Sequence, residues 1–376
     1  MQNAEILKQR LLSLDFFRGL TVAAMILVNN PGDWGHIYSP FRHASWDGCT
    51  PTDLIFPFFL FIVGVSIVFA MDTAKRNSEN HGRLLKSITK RAIILFTLGL
   101  ILALFPFFNF SEVRIPGVLQ RIAVVYFVCA VLFVKVNQLT LFRLFIAFIL
   151  VYWLMMVLIP VPDFGAANLE KGTNLAAYVD QLVFGEAHVW KVSKTWDPEG
   201  LLSTLPAFST GLFGVLMGFI LKSAKRTQEN KVIWLFVYGF LAVLLGLFWD
   251  LFFPINKSLW SSSFVLYTGG IASMFLALCY WLIDVQGFTK FTKPFVVYGV
   301  NAITVFFMSG IIARSISLIK ITSNNQEITL KGYIYETAFT PFFTPYNASL
   351  AFAFAFVMFW FLILWYMYKK NIIIKV

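Results

Sequence analysis

Few residues in this chain have side chains suited to chemistry, and they cluster. His43 stands in FRHASWDG. Imidazole is the side chain whose ordinary pKa suits proton transfer near neutrality. Asp33, Asp47 and Asp53 all lie near it in sequence. The text fits a general base, but from spacing alone an interfacial histidine bonded to a loop carbonyl is the favoured reading. His36 in the same loop is the competing candidate, whereas His81 in a basic connection and His188 in a long loop read as solvated. Asp53 opens the apolar run TDLIFPFFLF. A carboxylate there is favoured by the helix dipole and can be a cap. If Thr50 or Thr52 caps instead, Asp53 is released to face inward and orient the His43 ring.

Other polar groups sit inside apolar runs, where each needs a partner or a wet cavity. Asp15 and Arg18 are three apart and share one helix face. They read as a structural ion pair, with an anion site for a phosphate as the other use. Gln120 and Arg121 lie early in a run that begins RIPGVLQRIAVVYF. Asn29 and Asn30 end the first run and Asn301 lies inside a later one. Such an Asn either bonds a neighbouring helix or holds a carbonyl or oxyanion. Asp197 and Glu199 flank Pro198 in WDPEG, which reads as a solvated helix start. Cys49, Cys129 and Cys279 form no CxxC pair, and no Walker A sequence, GxGxxG or HExxH occurs. Metal, dinucleotide and P-loop chemistry therefore have no sequence support.

The elements that must position these residues are membrane helices. The 376 residues are 59% hydrophobic and only 13% charged, with 43 Phe, 11 Trp and a mean hydropathy of +0.75. A water-facing surface cannot be built from that set, but a lipid-facing one can. Ten apolar runs are long enough to span: 12–30, 53–72, 91–108, 116–135, 142–160, 201–221, 232–250, 262–283, 295–318 and 347–368. The expected fold is an all-α polytopic bundle of about ten transmembrane helices, one domain over 1–376. Its expected parts outside the spans include an N-terminal segment 1–11 and two longer loops, 161–200 and 319–346. With the N-terminus in the cytoplasm, 19 Lys and Arg fall on inner segments and 8 on outer ones. This obeys the positive-inside rule and puts both termini in the cytoplasm. The net charge of +11 then reads as basic loops that fix topology and touch lipid headgroups, with no nucleic-acid partner. The motif-like text, including NNPGDWGHIYSPFRHASWDGCTPTD, TWDPEGLLSTLP and FPINKSLW, all falls on the outer side.

Several ordered stretches carry a family resemblance. SLDFFRGLTVAAMILVN, HASWDGCTPTDLIFPFFLFIVGVSI, RIPGVLQRIAVVYF, WDPEGLLSTLPA, PINKSLWSSSFVLYTGG and YGVNAITVF occur in that order. Across roughly residues 11–376 the chain resembles the transmembrane heparan-α-glucosaminide N-acetyltransferase family, in a compact, bacterial-type form. The resemblance implies transfer of an acetyl group from acetyl-CoA, as cosubstrate and without a metal, to an amino sugar. It maps the family's catalytic histidine, an acetyl carrier or general base, onto His43. It maps the asparagine ending the first span onto Asn29 and the aspartate opening the second onto Asp53, and it sets His36 aside. Asp47 departs from the Asn of the lysosomal members' HASWNG, the Asn29–His43 loop is longer, and the luminal domain before their first span is not seen here.

On this reading Asn29 polarises the thioester carbonyl and Asp53 orients His43. Arg18, Gln120, Arg121 and Asn301 anchor CoA. Asp47, Asp197, Glu199, Asn256 and Trp260 hold the sugar. The expected partners are acetyl-CoA, an amino-sugar or glycan acceptor, membrane lipid and, as is common for such bundles, a second copy in a homodimer. The expected location is a bacterial cytoplasmic membrane. The rival classes are a sugar or glycan transporter without group transfer and an O-acyltransferase of an envelope glycan. The absence of two symmetric halves speaks against the transporter.

Overall fold

A computed structural model describes residues 11–323 and 326–374. The expected cytoplasmic segment 1–11 falls almost wholly outside them, as do Lys8, Arg10 and Lys375 of the charge count. In chain order the helices are α1 (Leu12–Asn29), α2 (Ile55–Lys75), α3 (His81–Leu104), α4 (Val118–Lys135), α5 (Gln138–Leu158), α6 (Leu175–Phe184), α7 (Thr204–Lys222), α8 (Gln228–Asp250), α9 (Ser262–Tyr280), α10 (Lys293–Val300) and α11 (Ala302–Leu318). An antiparallel hairpin follows, β1 (Lys320–Ser323) with β2 (Gln326–Thr329), and then α12 (Leu330–Ala338) and α13 (Pro345–Lys369). Among the described residues nine helices are long and apolar enough to cross a membrane. The pair α10 and α11 makes a tenth if it counts as one span. This is an all-α polytopic membrane protein.

Two spans differ from their hydropathy outlines. The expected continuous span 295–318 is broken, with α10 and α11 meeting at 81° around Asn301. The carboxamide of Asn301 donates to Ile372 O at 3.1 Å and accepts from Ile374 N at 2.9 Å. The residue at the break thus bonds its side chain to another segment of backbone. Helix α3 starts ten residues before its apolar run because its first turns carry Arg83, Lys86 and Lys90, which helix geometry tolerates and hydropathy does not register. The loops 161–200 and 319–346 are not plain polar linkers, since they hold α6, the hairpin and α12.

The described residues form two compact units, 11–43 with 50–55, 279–323 and 326–374, and 44–49 with 56–278. In the first, α1 lies so close to α10 that a Cβ on Gly19 would fall 1.6 Å from Phe295 O. One on Gly299 would fall 2.3 Å from Asp15 O. Small residues let backbones approach where lipid offers no hydrophobic drive to helix pairing. The first two amides of α1, Leu12 N and Ser13 N, are capped by the Asp284 carboxylate at 3.2 and 3.1 Å. A helix N-terminus leaves such N–H groups without intrahelical partners.

In the second unit α7 is the central helix. A Cβ on Gly214 would fall 2.1 Å from Phe61 O of α2, and one on Gly64 would fall 2.0 Å from Gly211 O. Buried hydroxyls add interhelical bonds: Ser209 Oγ donates to Phe145 O at 2.9 Å, and Ser262 Oγ to Ile149 O at 2.6 Å.

Candidate functional site

His43 and Asp53 meet in the first unit. His43 Nδ1 lies 2.6 Å from Asp53 Oδ1; the histidine side chain is 51% exposed and the carboxylate 1%. The local fold explains the carboxylate's position. Thr50 precedes a one-turn 3-10 helix, Pro51–Leu54, that leads into α2, and Asp53 is its third residue. Asp53 Oδ2 accepts from Thr50 N and from Thr50 Oγ1, both at 3.0 Å. Thr50 Oγ1 also contacts Arg42 O at 2.7 Å, next to the histidine in the chain. Capping and orienting, alternatives in the sequence, are therefore done by one group, each with its own oxygen. An ionised carboxylate only accepts, so Nδ1 carries the proton in this pair and the lone pair of neutral His43 sits on Nε2. Proton or acyl transfer at this imidazole would run through Nε2.

Other predicted residues of the first unit are placed as follows. Asn29 is the exposed last residue of α1. Arg18 Nη1 pairs with Asp15 Oδ1 at 2.8 Å, the structural pair expected from their spacing. Asn301 serves the break described above. His36 has a carboxylate too: its Nδ1 lies 2.6 Å from Asp33 Oδ2, with the two side chains 42% and 40% exposed.

In the second unit, the motif text is stitched together. Asp47 Oδ1 accepts from Asn256 Nδ2 at 3.1 Å, and Gly48 N donates to Ile255 O at 2.7 Å. Gly48 has φ +101°, a conformation that L residues rarely adopt, so glycine is required for this stitch. Asp47 itself is exposed. WDPEG is not a solvated helix start. Asp197 and Glu199 are buried, and Arg114 binds both: Nε and Nη2 to Asp197 at 2.8 and 2.6 Å, and Nη2 to Glu199 at 2.5 Å. Burial works against the Arg114 charge, but the two carboxylates outweigh it, and the guanidinium is held charged more firmly than usual.

Arg121 is buried against the same turn. It donates to Pro198 O and Gly200 O, both at 3.0 Å, and to Ser203 Oγ at 2.5 Å, and its guanidinium lies 5.1 Å from the Trp260 ring centroid. Gln120 is buried where Gly99 and Gly117 make room; a Cβ on either would fall 2.3 or 2.6 Å from its Oε1. Trp260 and Asn256, expected on an outer loop as sugar contacts, are fully buried. Trp260 Nε1 donates to Thr210 Oγ1 at 3.1 Å, and Asn256 Oδ1 accepts from Leu259 N at 2.9 Å. A ring without surface cannot stack on a sugar, so direct sugar contact by Trp260 does not fit this structure.

The sequence reading missed three residues. Asp180 in α6 is buried and accepts from Asp197 N at 3.2 Å and Leu201 N at 2.8 Å, holding both ends of WDPEG. Burial raises its pKa to about 7, against the lowering effect of those two N–H groups. In the sequence Arg114 is one basic residue of an outer segment, and no motif marks Asp284. A carboxylate inside the apolar text LAAYVDQLVF was the available signal for Asp180. His188 and His81 are not simply solvated, because each bonds a main-chain carbonyl, Val113 O at 2.8 Å and Lys75 O at 2.9 Å.

Fold and geometry together define a class: a multi-pass helical membrane protein with a half-exposed histidine on a buried carboxylate. Comparison with known proteins makes the class specific. Residues 10–178, which include both His43 and Asp53, match the family described as heparan-alpha-glucosaminide N-acetyltransferase, catalytic. The human heparan-alpha-glucosaminide N-acetyltransferase is 34% identical over 355 residues, covering 80% of this chain and 52% of the human protein. The mouse protein of the same name is 31% identical over 357 residues, covering 79% and 53%. The chain is similar to these transferases, and it spans about half the length of the curated relatives it matches.

Proposed function

We propose that this chain is a membrane-embedded acetyltransferase that moves an acetyl group from acetyl-CoA to the amine of a terminal amino sugar. The observation that carries the reading is the His43–Asp53 pair, 2.6 Å apart, inside the region that matches the catalytic family. Asp53 fixes the tautomer of His43, and Nε2 takes the proton of the attacking amine as the N–C bond forms and the thioester C–S bond breaks. The CoA thiolate leaves and is protonated. In the covalent variant Nε2 attacks the thioester first and the amine then takes the acetyl group from the imidazole. The exposed carboxamide of Asn29 donates to the thioester oxygen as it gains charge, a contribution of about 3 kcal/mol.

The other residues divide by their engagement. Arg18 is the cationic group for CoA in the first unit, and Arg121 holds the WDPEG turn of the second. Gln120 and Asn301 shape the helices around them. Asp47, exposed on the stitched loop, is the sugar contact, while Asp197, Glu199 and Asn256 position that loop and its neighbour. The charge count supports an orientation with His43 at the outer side of a bacterial cytoplasmic membrane and both termini inside.

The test is thiol release by the purified protein with acetyl-CoA and a panel of amino sugars. Release that depends on a free sugar amine supports the reading. Uptake of sugar into proteoliposomes without acetyl-CoA, and no thiol release, overturns it in favour of transport. Acetyl label retained on His43 in a single turnover selects the covalent variant.

A further inference from the structure

One large cavity in the second unit holds none of the predicted site residues. It is a groove of about 1200 Å3 between α5 and α8, floored by α7. Its construction follows from how the helices are tied. Helix α8 is held to α9 by close backbone approach, since a Cβ on Gly246 would fall 2.7 Å from Tyr267 N and one on Gly239 2.7 Å from Gly270 O. Helix α5 is held to α7 and α9 by the Ser209 and Ser262 bonds. Between α5 and α8 the space is left open, with a wall of Phe142, Leu150, Leu241 and Leu245. One end is closed by Trp153 against Trp249, edge to face with centroids 5.4 Å apart. The other end is lined by Gln138 and by Arg226, whose guanidinium lies over the Trp234 ring at 5.2 Å.

We infer that this groove is a binding site for one anionic phospholipid, with its acyl chains along α5 and α8 and its phosphate at Arg226 and Gln138. Leu139 and Trp153 are about 21 Å apart along α5 by helical rise, enough to seat an acyl chain of a leaflet about 15 Å deep. The charge at the open end chooses the occupant. Arg226 belongs to the connection KSAKRTQENK, which also carries Lys222, Lys225 and Lys231. A phosphate complements that end. A second copy docked here in the same membrane orientation would bring basic end to basic end at the same depth, and like charges brought together across an interface oppose association. The guanidinium and carboxamide at one end, with hydrocarbon walls beyond them, match the headgroup and acyl parts of one lipid molecule.

The experiment is native mass spectrometry of the full chain extracted in mild detergent, with the retained lipid identified by headgroup. Wild-type protein should keep about one anionic phospholipid. Arg226→Gln should lower that occupancy about fivefold, and Arg226→Glu further. Leu245→Trp, placed on the exposed wall, should expel lipid whatever its headgroup. Should a variant fail to fold, titration of wild-type protein in nanodiscs serves: palmitoyl-oleoyl phosphatidylglycerol should raise its thermal midpoint and phosphatidylcholine at the same content should not. Equal retention of anionic and zwitterionic lipid, or occupancy unchanged in all three variants, overturns the site. A dimer that Leu245→Trp splits while lipid occupancy stays constant assigns the groove to a second copy instead.

Discussion

The first unit contains the same pair twice. His43 with Asp53 and His36 with Asp33 have the same atoms in contact at the same 2.6 Å. Distance does not separate them; what surrounds the carboxylate does. Asp53 is 1% exposed and spends its second oxygen on two donors of Thr50, at the start of a helix. Asp33 is 40% exposed, and its carboxylate closes a local turn by accepting from Gly35 N at 2.8 Å. A ring oriented by a buried, doubly anchored group is held to one geometry, whereas one oriented by a half-exposed carboxylate is held less firmly and gains less from the contact. The comparison teaches that preorganisation, not proximity, marks the histidine suited to transfer chemistry.

The largest expected effects fall on the anchored pair. His43→Ala should lower acetyl transfer by about 10³-fold or more while leaving the protein folded. Asp53→Asn should lower it by about 10²–10⁴-fold. The physical reason is donor count: an Asn oxygen can serve His43 or Thr50, and its NH2 then faces a donor on the other side. Both are checked by steady-state thiol release, with size-exclusion profiles to confirm folding.

Intermediate effects concern the anchored carboxylates of the second unit and appear in stability. Arg114→Ala leaves Asp197 and Glu199 buried without their cation, an expected cost of about 3–5 kcal/mol, read as a fall in thermal midpoint. Asp180 supplies a pH signature. Its folded pKa of about 7 lies above the ordinary carboxylate value of 3.8, so between those values the folded state binds more protons than the unfolded one. Stability from this group is full below about pH 4 and declines as pH rises toward about 7. Thermal midpoints of wild type should follow that limb, and Asp180→Asn should flatten it.

The smallest effects fall on the exposed pair. His36→Ala and Asp33→Asn should leave transfer within about twofold and stability within about 1 kcal/mol. The hydrogen bond from His36, then that from Gly35 N, holds Asp33 below its ordinary value. Its small contribution is present above the unfolded pKa and lost as pH falls through the folded one, the opposite slope to that of Asp180.

Much of this was legible in the sequence because the membrane simplifies the problem. Apolar runs located the helices, and the scarcity of charge made Asp15, Arg18, Asp53 and Arg121 conspicuous. Long-range partners were not legible. Arg114 and Asp197 are 83 residues apart, and nothing local in either tells of the other. Asn301 is a polar residue in a span, but hydropathy is blind to the break there and to the side-chain bonds made at it. Trp260 looked like a loop aromatic because its burial is set by helices from elsewhere in the chain. His36 and His43 were separated by resemblance alone, whereas the environments of Asp33 and Asp53 give the physical ground.

The central claim is that the anchoring of the carboxylate assigns the chemistry to His43. The most direct measurement sets purified His43→Ala beside His36→Ala, at equal folded concentration, in single-turnover transfer from labelled acetyl-CoA to a glucosamine-terminated acceptor. The account predicts near-wild-type transfer for His36→Ala and a loss of about 10³-fold for His43→Ala. Near-normal transfer by His43→Ala, or equal losses in both variants, would contradict it.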